Sequence, residues 1–326
     1  MHISVIVPVR DDAARLRRCL QSIRRDAPGN DTTEIIVTDN GSRDDSPQVA
    51  AGAGARVLVL PDLRVSALRN SGAGAANGDV LAFVDADHEL AAGWMAAAAD
   101  SMREPTIAAA GALYLDPPGG TWVQQMYGAL RGRTKGRHDT EWLGSGNMIV
   151  RKEAFERVRG FDVTLEACED VDLCRRLRSA GFRIVADERL RSIHHGDPPT
   201  LRALFRAERW RGRDNVRVSL RGPLTLRDLP SLIMPVVMLG ALLGLVAAPV
   251  LAAFSKAGAL MMAAAAVTLV AALAGARATR IIHNLERRSA VSLARAFTVA
   301  LVYEVARGIA LITRAPHHRA SQRPSR

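Results

Sequence analysis

The sequence predicts a doubly wound α/β sheet followed by helices that cross a membrane. Three features carry that reading. Short apolar strands alternate with helices, as in a sheet covered on both faces. One of those strands, Val80 to Val84, runs directly into Asp85 and Asp87. Towards the C-terminal end, residues 230–254 and 257–276 contain no charged side chain.

Taken in order, Ile3 to Val9 is β-branched and nearly all apolar, so it belongs in the middle of a parallel sheet. Asp11 or Asp12 can cap the next helix, Ala13 to Arg24, whose Leu16, Cys19, Leu20 and Ile23 share one face. Thr33 to Thr38 is the second strand. It ends in Asp39-Asn-Gly-Ser-Arg-Asp44, residues that tolerate tight turns. A helix from Ser46, a short strand from Arg56 to Leu60 and a helix from Ser66 to Ala76 follow. Gly78 and Asp79 then lead into the central strand. In such sheets ligands sit at the carboxyl ends of the strands, where Pro8, Asp39 and the Asp85/Asp87 pair all fall.

Further on, Trp142-Leu-Gly-Ser-Gly-Asn147 precedes a strand, Met148 to Arg151, and a helix, Glu153 to Val158. The glycines on either side of Ser145 let backbone approach a ligand closely. Gly160-Phe-Asp162 reads as a turn. Glu169-Asp170 opens a helix from Val171 to Ala180, which Gly181 stops. Arg183 to Ala186 is a strand, and Ser192-Ile-His-His-Gly196 follows it.

Composition narrows the function. The chain has 326 residues and a net charge of +11, enough for one sizeable domain with an appendage or for two small ones. Hydrophobic residues are 48% and aromatics only 4%, so Ala, Leu and Val supply the apolar material. A pI near 10.7 suits nucleic acid, anionic lipid or phosphorylated substrates. With no zinc-finger spacing, RNP-like aromatic run or compact basic helix, nucleic acid is not an expected partner. Cys19, Cys168 and Cys174 are too few and too scattered for a disulfide framework and read as reduced, in the cytosol. Met1 to Arg10 lacks the charged start and long apolar core of a signal peptide.

Asp85 and Asp87 stand two apart in an extended chain, so both carboxylates can converge on one ligand. Mg²⁺ typically takes one or two carboxylates together with phosphate oxygens. A strand ending in Asp-x-Asp thus suggests a metal-bound diphosphate, although a polar turn after a buried strand looks the same. The first βα turn has no Gly-x-Gly-x-x-Gly, which argues against a dinucleotide-binding Rossmann domain and against a nucleotidyltransferase. Gly72-Ala-Gly-Ala-Ala-Asn-Gly78 precedes a strand instead of following one, and there is no Walker A lysine.

Five stretches, in this order, resemble the family 2 glycosyltransferases of GT-A fold. They are Val-Ile-Val-Pro-Val-Arg-Asp-Asp12, Ile-Ile-Val-Thr-Asp-Asn-Gly-Ser42, Ala-Leu-Arg-Asn-Ser-Gly72, Gly-Asp-Val-Leu-Ala-Phe-Val-Asp-Ala-Asp87 and Glu-Asp-Val-Asp-Leu-Cys-Arg-Arg-Leu177. They span roughly the first two-thirds of the chain. The resemblance implies a GT-A type, doubly wound mixed sheet and an inverting transfer of sugar from a nucleotide diphosphate sugar.

It also implies roles for residues. Asp39 accepts hydrogen bonds from the base, Pro8 and Asp12 line the nucleoside pocket, and Arg69 contacts base or diphosphate. Asp85 faces ribose or metal, and Asp87 binds Mg²⁺ or Mn²⁺ through the diphosphate; the cation neutralises charge on the leaving group. A histidine after the last strand completes the metal shell, with the choice between His194 and His195 open. Asp170 is the general base that an inverting transfer needs, with Glu169 supporting the acceptor and Asp172 as the fallback. A carboxylate at a helix N-terminus is stabilised by the dipole, so Asp170 alone could be structural. Trp142 and Ser145 fall on the acceptor side. Arg206-Ala-Glu-Arg209-Trp210 resembles the Gln-x-x-Arg-Trp motif of processive membrane-bound relatives, with Arg206 in place of Gln. Arg209 and Trp210 there suit phosphate or acceptor, because arginine forks match phosphate oxygens. A membrane-surface helix would carry the same residues.

The composition changes at Leu229. Each charge-free run is long enough for a hydrocarbon core, which takes about 20 residues, and Ser255-Lys256 makes a tight loop between them. Gly240 and Gly244 offer a small-xxx-small face for close packing. Basic residues before the first run and after the second put residues 1–228 on the cytoplasmic side of the cell membrane. Residues 296–312 form a third apolar stretch, interrupted by Glu304 and Arg307, that spans with a buried polar pair or lies in the interface. The expected division is a cytoplasmic GT-A domain over 1–228, a transmembrane region over 229–313 and a basic disordered tail over 314–326. The expected substrate besides the donor is a lipid-linked or cell-envelope glycan. The alternatives are a processive polysaccharide synthase, for which two or three spans are few, and an inactive glycan-assembly scaffold, against which the intact carboxylate set speaks.

Overall fold

A computed structural model describes residues 1–27, 33–222, 229–285 and 288–313. The expected tail, 314–326, lies outside the described residues. The chain divides into two compact units. Met1–Pro117 and Arg133–Gly196 make the first; Pro118–Gly132 and Asp197–Arg314 make the second.

The first unit is built on β1 (Ile3–Val9), β2 (Thr33–Asp39), β3 (Arg56–Val59), β4 (Val80–Val84), β6 (Ile107–Gly111), β7 (Arg137–Asp139), β8 (Asn147–Arg151) and β9 (Arg183–Asp187). They form one sheet in the order β3-β2-β1-β4-β8-β6-β9-β7. The half from β3 to β4 is parallel, β8 runs antiparallel to both its neighbours, and β7 is antiparallel to β9. Two further strands, β5 (His88–Leu90) and β10 (Ser192–His194), pair antiparallel in a separate small sheet. The mixed α/β sheet expected from the sequence is the one present.

Period-two alternation explains why helices cover both faces. Val5, Val7 and Val9 of β1 and Val80, Ala82 and Val84 of β4 belong to one core. Ile6 of β1 and Leu81 and Phe83 of β4 belong to the other. The first core takes Leu16, Cys19, Leu20 and Ile23 from α1 (Ala13–Asp26), Val49 and Ala50 from α2 (Ser46–Gly52) and Trp94 from α4 (Trp94–Ser101). The second takes Ala73 from α3 (Val65–Ala75), Phe155 from α6 (Lys152–Arg157), and Leu173, Cys174 and Leu177 from α7 (Glu169–Ser179). β4 is therefore buried on both sides, and its C-terminal end delivers Asp85 and Asp87 to the sheet edge.

One local expectation changes. Asp12 occupies the N-cap position of α1, but its side chain makes no cap bond; Asp44 Oδ2 accepts from Ala13 N at 2.9 Å instead. The β2 turn thus caps the helix that follows β1.

The second unit is helical: α5 (Trp122–Arg131), α8 (Leu201–Arg211), α9 (Asn215–Ser219), α10 (Leu229–Leu251), α11 (Lys256–His283) and α12 (Ala290–Ala310). Thr121 and Gln124 close a capping box at the start of α5. Val123, Met126, Tyr127 and Leu130 of α5 share a core with Leu204 of α8, Ala278 and Ile281 of α11, and Ala296, Val299 and Ala300 of α12. Helices α10 and α11 are long and apolar enough to cross a membrane, by length and composition. Much of their apolar surface is exposed, including Val246, Val250, Leu260 and Met261. Gly244 lies at their contact, where an added Cβ would meet Ala266 Cβ at 3.7 Å, whereas Gly240 faces open space.

The polar interruptions in α12 have partners. Glu304 is buried and accepts from Arg277 Nε of α11 at 2.5 Å. Arg307 Nε donates to Glu208 of α8 at 2.9 Å. The fully buried Glu208 also accepts from Arg211 Nη1 and Tyr127 Oη. Arg307 is thus bound to α8, and the buried pair is Glu304 with Arg277.

Candidate active site

Three carboxylate-bearing positions line the sheet edge of the first unit. At the end of β2, the buried Asp39 accepts from Gly41 N and Ser42 N through Oδ2, at 3.1 and 3.0 Å. Its Oδ1 is buried without a hydrogen-bond partner. A buried acceptor left bare is costly, and it suits an incoming N–H. The neighbouring loops are knitted together: Asp11 N donates to Ser42 Oγ, Arg43 N to Asp11 Oδ1 and Asp12 N to Ser46 Oγ.

At the end of β4, Asp87, His88 and His194 bring ligand atoms to within 4.8 Å of one another. The β5–β10 pairing does this, because His194 stands opposite His88 in its register. His194 Nε2 is 3.2 Å from Asp87 Oδ2. His88 Nδ1 is 2.8 Å from Ser192 Oγ, which leaves Nε2 for the cluster. The Tyr114 ring packs edge-on to the His88 imidazole and tilted against that of His194, with ring centroids 5.0 and 4.7 Å away. Burial opposes ionisation of Asp87, but the hydrogen bond and charge of His194, with His88 and Arg15 adding, hold its carboxyl well below the usual range. Space is shaped around it: an added Cβ at Gly196 would sit 1.8 Å from Asp87 Oδ2. One carboxylate and two imidazoles, with the outer nitrogen of one already bonded, fit a divalent cation.

Asp85 is not one of these three and is bound to an arginine instead. Arg69, 2% exposed, gives Nη2 to Asp85 Oδ1 at 2.6 Å and Nη1 to Glu169 Oε1 at 2.7 Å. Ser145 Oγ donates to the same Glu169 oxygen at 3.0 Å, and Ser145 N faces Asp170 Oδ2 at 3.4 Å. Asp170 also accepts from Val171 N. Burial first, then the Glu169 charge beside it, push the Asp170 carboxyl up to about 7; the backbone bonds and Arg69 pull the other way. The stabilisation expected from the helix N-terminus is outweighed, because the dipole acts on a group its surroundings have desolvated.

Residues 4–159 match the family model described as Glycosyl transferase family 2. Those residues form a family 2 glycosyltransferase domain. The Pre-mycofactocin glycosyltransferase of Mycobacterium tuberculosis is 29% identical over 234 residues, covering 68% of this chain and 48% of that protein. The chain thus spans about half the length of the first curated relatives it matches. The N-acetylglucosaminyl-diphospho-decaprenol L-rhamnosyltransferase of the same species is 29% identical over 250 residues, 60% of this chain and 81% of the relative. Among solved structures, the mannosyltransferase PcManGT from Pyrobaculum calidifontis, in complex with GDP-Man and Mn²⁺, superposes with a TM-score of 0.60 at 18% identity. That likeness covers 94% of this chain and 86% of the other, and it shows a shared fold.

The other expected residues are spread out. Pro8 lies in β1, paired with Thr38. Asp12 Oδ2 accepts from Arg15. His195 is not among the three clustered residues: its Nε2 is 3.0 Å from Glu89 Oε2. Trp142 is half-exposed beside the Gly144-Ser145-Gly146 loop. Arg209 and Trp210 belong to α8 of the second unit, where Arg209 sits over the Phe205 ring. Asp172, the fallback base, pairs with Arg176 at 2.8 Å. The Cys174 thiol is pushed up to about 12 by burial, as suits a packing residue. Sequence reasoning does not reach His88; a His directly after Asp-x-Asp, with Ser-x-His later in the chain, was the available signal.

Proposed function

We propose that this chain is a metal-dependent, inverting glycosyltransferase that works at the cytoplasmic face of the cell membrane. Its donor is a nucleotide diphosphate sugar and its acceptor a lipid-linked or cell-envelope glycan. One observation carries the reading. The Gly144-Ser145-Gly146 loop touches both chemical centres: Ser145 N faces Asp170, and a Cβ on Gly146 would lie 2.6 Å from Asp85 Oδ2 and 3.0 Å from His88 Nε2. A diphosphate held at the cluster and an acceptor at Asp170 would then lie on either side of one short loop.

Each group has a task in that reading. Asp39 Oδ1 accepts an N–H of the base. Asp87, His88 and His194 would hold a divalent cation. When bound, the cation supplies charge neutralisation for the departing diphosphate. Asp170, as carboxylate, takes the proton of the acceptor hydroxyl. The hydroxyl oxygen attacks the anomeric carbon, the bond from that carbon to the diphosphate oxygen breaks, and the configuration inverts. The exposed apolar surface of α10 and α11 supports membrane anchorage. That one relative is named as acting on a diphospho-decaprenol substrate supports a lipid-linked acceptor.

The test is to screen nucleotide sugars with the detergent-solubilised chain for Mn²⁺- or Mg²⁺-dependent release of nucleoside diphosphate. Asp87→Ala should abolish metal-dependent donor binding in calorimetry while the protein stays folded. Undiminished donor affinity of Asp87→Ala in the presence of metal would sink the assignment.

A further inference from the structure

We propose that Arg69 is a positioning residue that sets the general base, by clamping Glu169 and Asp85 to one guanidinium. The inference rests on Asp170 being the base of the proposed transfer. Both edges of the Arg69 fork are used, at 2.7 Å to Glu169 and 2.6 Å to Asp85. These partners lie on different elements, the start of α7 and the turn after β4. The Phe161 ring lies 5.7 Å from the guanidinium carbon. So the cation that sequence reasoning assigned to the base or diphosphate is committed to two carboxylates of its own chain.

A buried ion pair is by itself weak evidence that a fold needs it. Arg69 Nε is buried without a partner, and a buried ion pair is often replaced by apolar residues at no loss of stability. What the fork does is local. It fixes Glu169, which Ser145 Oγ also holds, and Ser145 N in turn faces Asp170. Asp170 is faced by Glu169 from its own helix, Arg69 from α3, the Ser145 loop and the buried Cys174 thiol below it. Of these groups Arg69 is the cation that favours the ionised base. Without it, two adjacent carboxylates would share the site uncompensated, and Asp170 would keep its proton to higher pH. A lysine cannot reproduce the effect, because a point charge does not bridge two carboxylates in a fixed plane.

The experiment uses the full chain in detergent, at saturating nucleotide sugar and Mn²⁺. Transfer rate is measured against pH for wild type, Arg69→Met, Arg69→Lys, Arg69→Met/Glu169→Gln and Asp170→Asn, with donor affinity by calorimetry and a melting curve for each. In Arg69→Met the midpoint of the acid limb should rise by about one pH unit or more, with kcat at pH 7 down roughly tenfold and donor affinity changed less. Arg69→Lys should fall between the two. The double variant, which removes one charge of each sign, should return the midpoint towards wild type, and Arg69→Lys serves should Arg69→Met not fold. An unshifted midpoint in Arg69→Met, or in Arg69→Lys where Arg69→Met does not fold, while Asp170→Asn loses transfer, overturns the Arg69 inference alone. A loss explained wholly by donor affinity overturns it too, by returning Arg69 to the donor. Wild-type transfer by Asp170→Asn overturns the base assignment and the role of Arg69 with it.

Discussion

Gly196→Ala is the sharpest test of the metal cluster. An added Cβ would stand 1.8 Å from Asp87 Oδ2, 2.9 Å from its Cγ and 3.1 Å from His194 Nε2. Ordinary contact begins near about 3.5 Å, so the carboxylate must withdraw by more than about 1.5 Å. The 3.2 Å approach of Asp87 to His194 does not survive such a shift. Gly196 is not among the glycines with positive φ, so the backbone accepts alanine and the effect is steric. Losing the support of a ligand typically costs 10–100-fold in metal affinity, and losing a ligand itself costs more. We therefore expect Mn²⁺ to bind Gly196→Ala at least about 100-fold more weakly, with kcat/KM falling in step and melting of the metal-free protein little changed. Gly74→Ala is the control, since an added Cβ there meets nothing within 4 Å. Calorimetric titration with Mn²⁺ reads the result. Affinity within about twofold of wild type, well short of the expected loss, would refute the reasoning, because no cation could then rely on Asp87 where it stands.

Four other outcomes follow. Because the Asp170 carboxyl is raised to about 7 and must be ionised to act as base, transfer should fall about tenfold per pH unit below that value and level off above it; a flat profile from pH 5 to 8 refutes it. Asp170→Asn should lower transfer by roughly 10²–10⁴-fold at nearly unchanged donor affinity. Asp39→Asn should weaken nucleotide binding by about 1.5–3 kcal/mol and leave Mn²⁺ affinity as it was, since its bare Oδ1 is lost as an anionic acceptor; equal binding of the nucleotide by both proteins counts against that role. In a cysteine-free background, a cysteine at Ser255, between α10 and α11, should react with an impermeant reagent on intact cells, and one at Ser289 should not; the reverse pattern overturns the topology.

The sheet was legible because its central strands announce themselves. Ile3 to Val9 and Val80 to Val84 are nearly all apolar on both faces, and the second runs straight into Asp85; no distant contact is needed to read that. Strand β6 is different. Ile107-Ala-Ala-Ala-Gly111 has little side chain to signal a strand, and only its neighbours β8 and β9 make it one. The metal cluster was half legible. Asp87 is local to its strand end, but His88 meets His194 through pairing of two three-residue strands far apart in sequence. The Arg69 fork was out of reach for the same reason: a helix arginine looks solvated until α7 and the β4 turn close over it. The proton affinity of Asp170 depends on burial, which the helix-start pattern does not contain.

The Glu208–Arg307 bond has a consequence for how the protein is made. Its two ends are 99 residues apart in the chain. At synthesis rates of about 5–20 residues per second, α8 waits roughly 5–20 s for α12 to leave the ribosome. During that interval Glu208 has Tyr127 and Arg211 but lacks its third partner. Leu204 likewise lacks the Ala296, Val299 and Ala300 side chains that later cover it. Both apolar helices, α10 and α11, must emerge and find their place in between. Placing that hairpin is therefore a step in finishing the helical unit, and ending the chain ahead of α12 would leave α5 and α8 with an unfinished core.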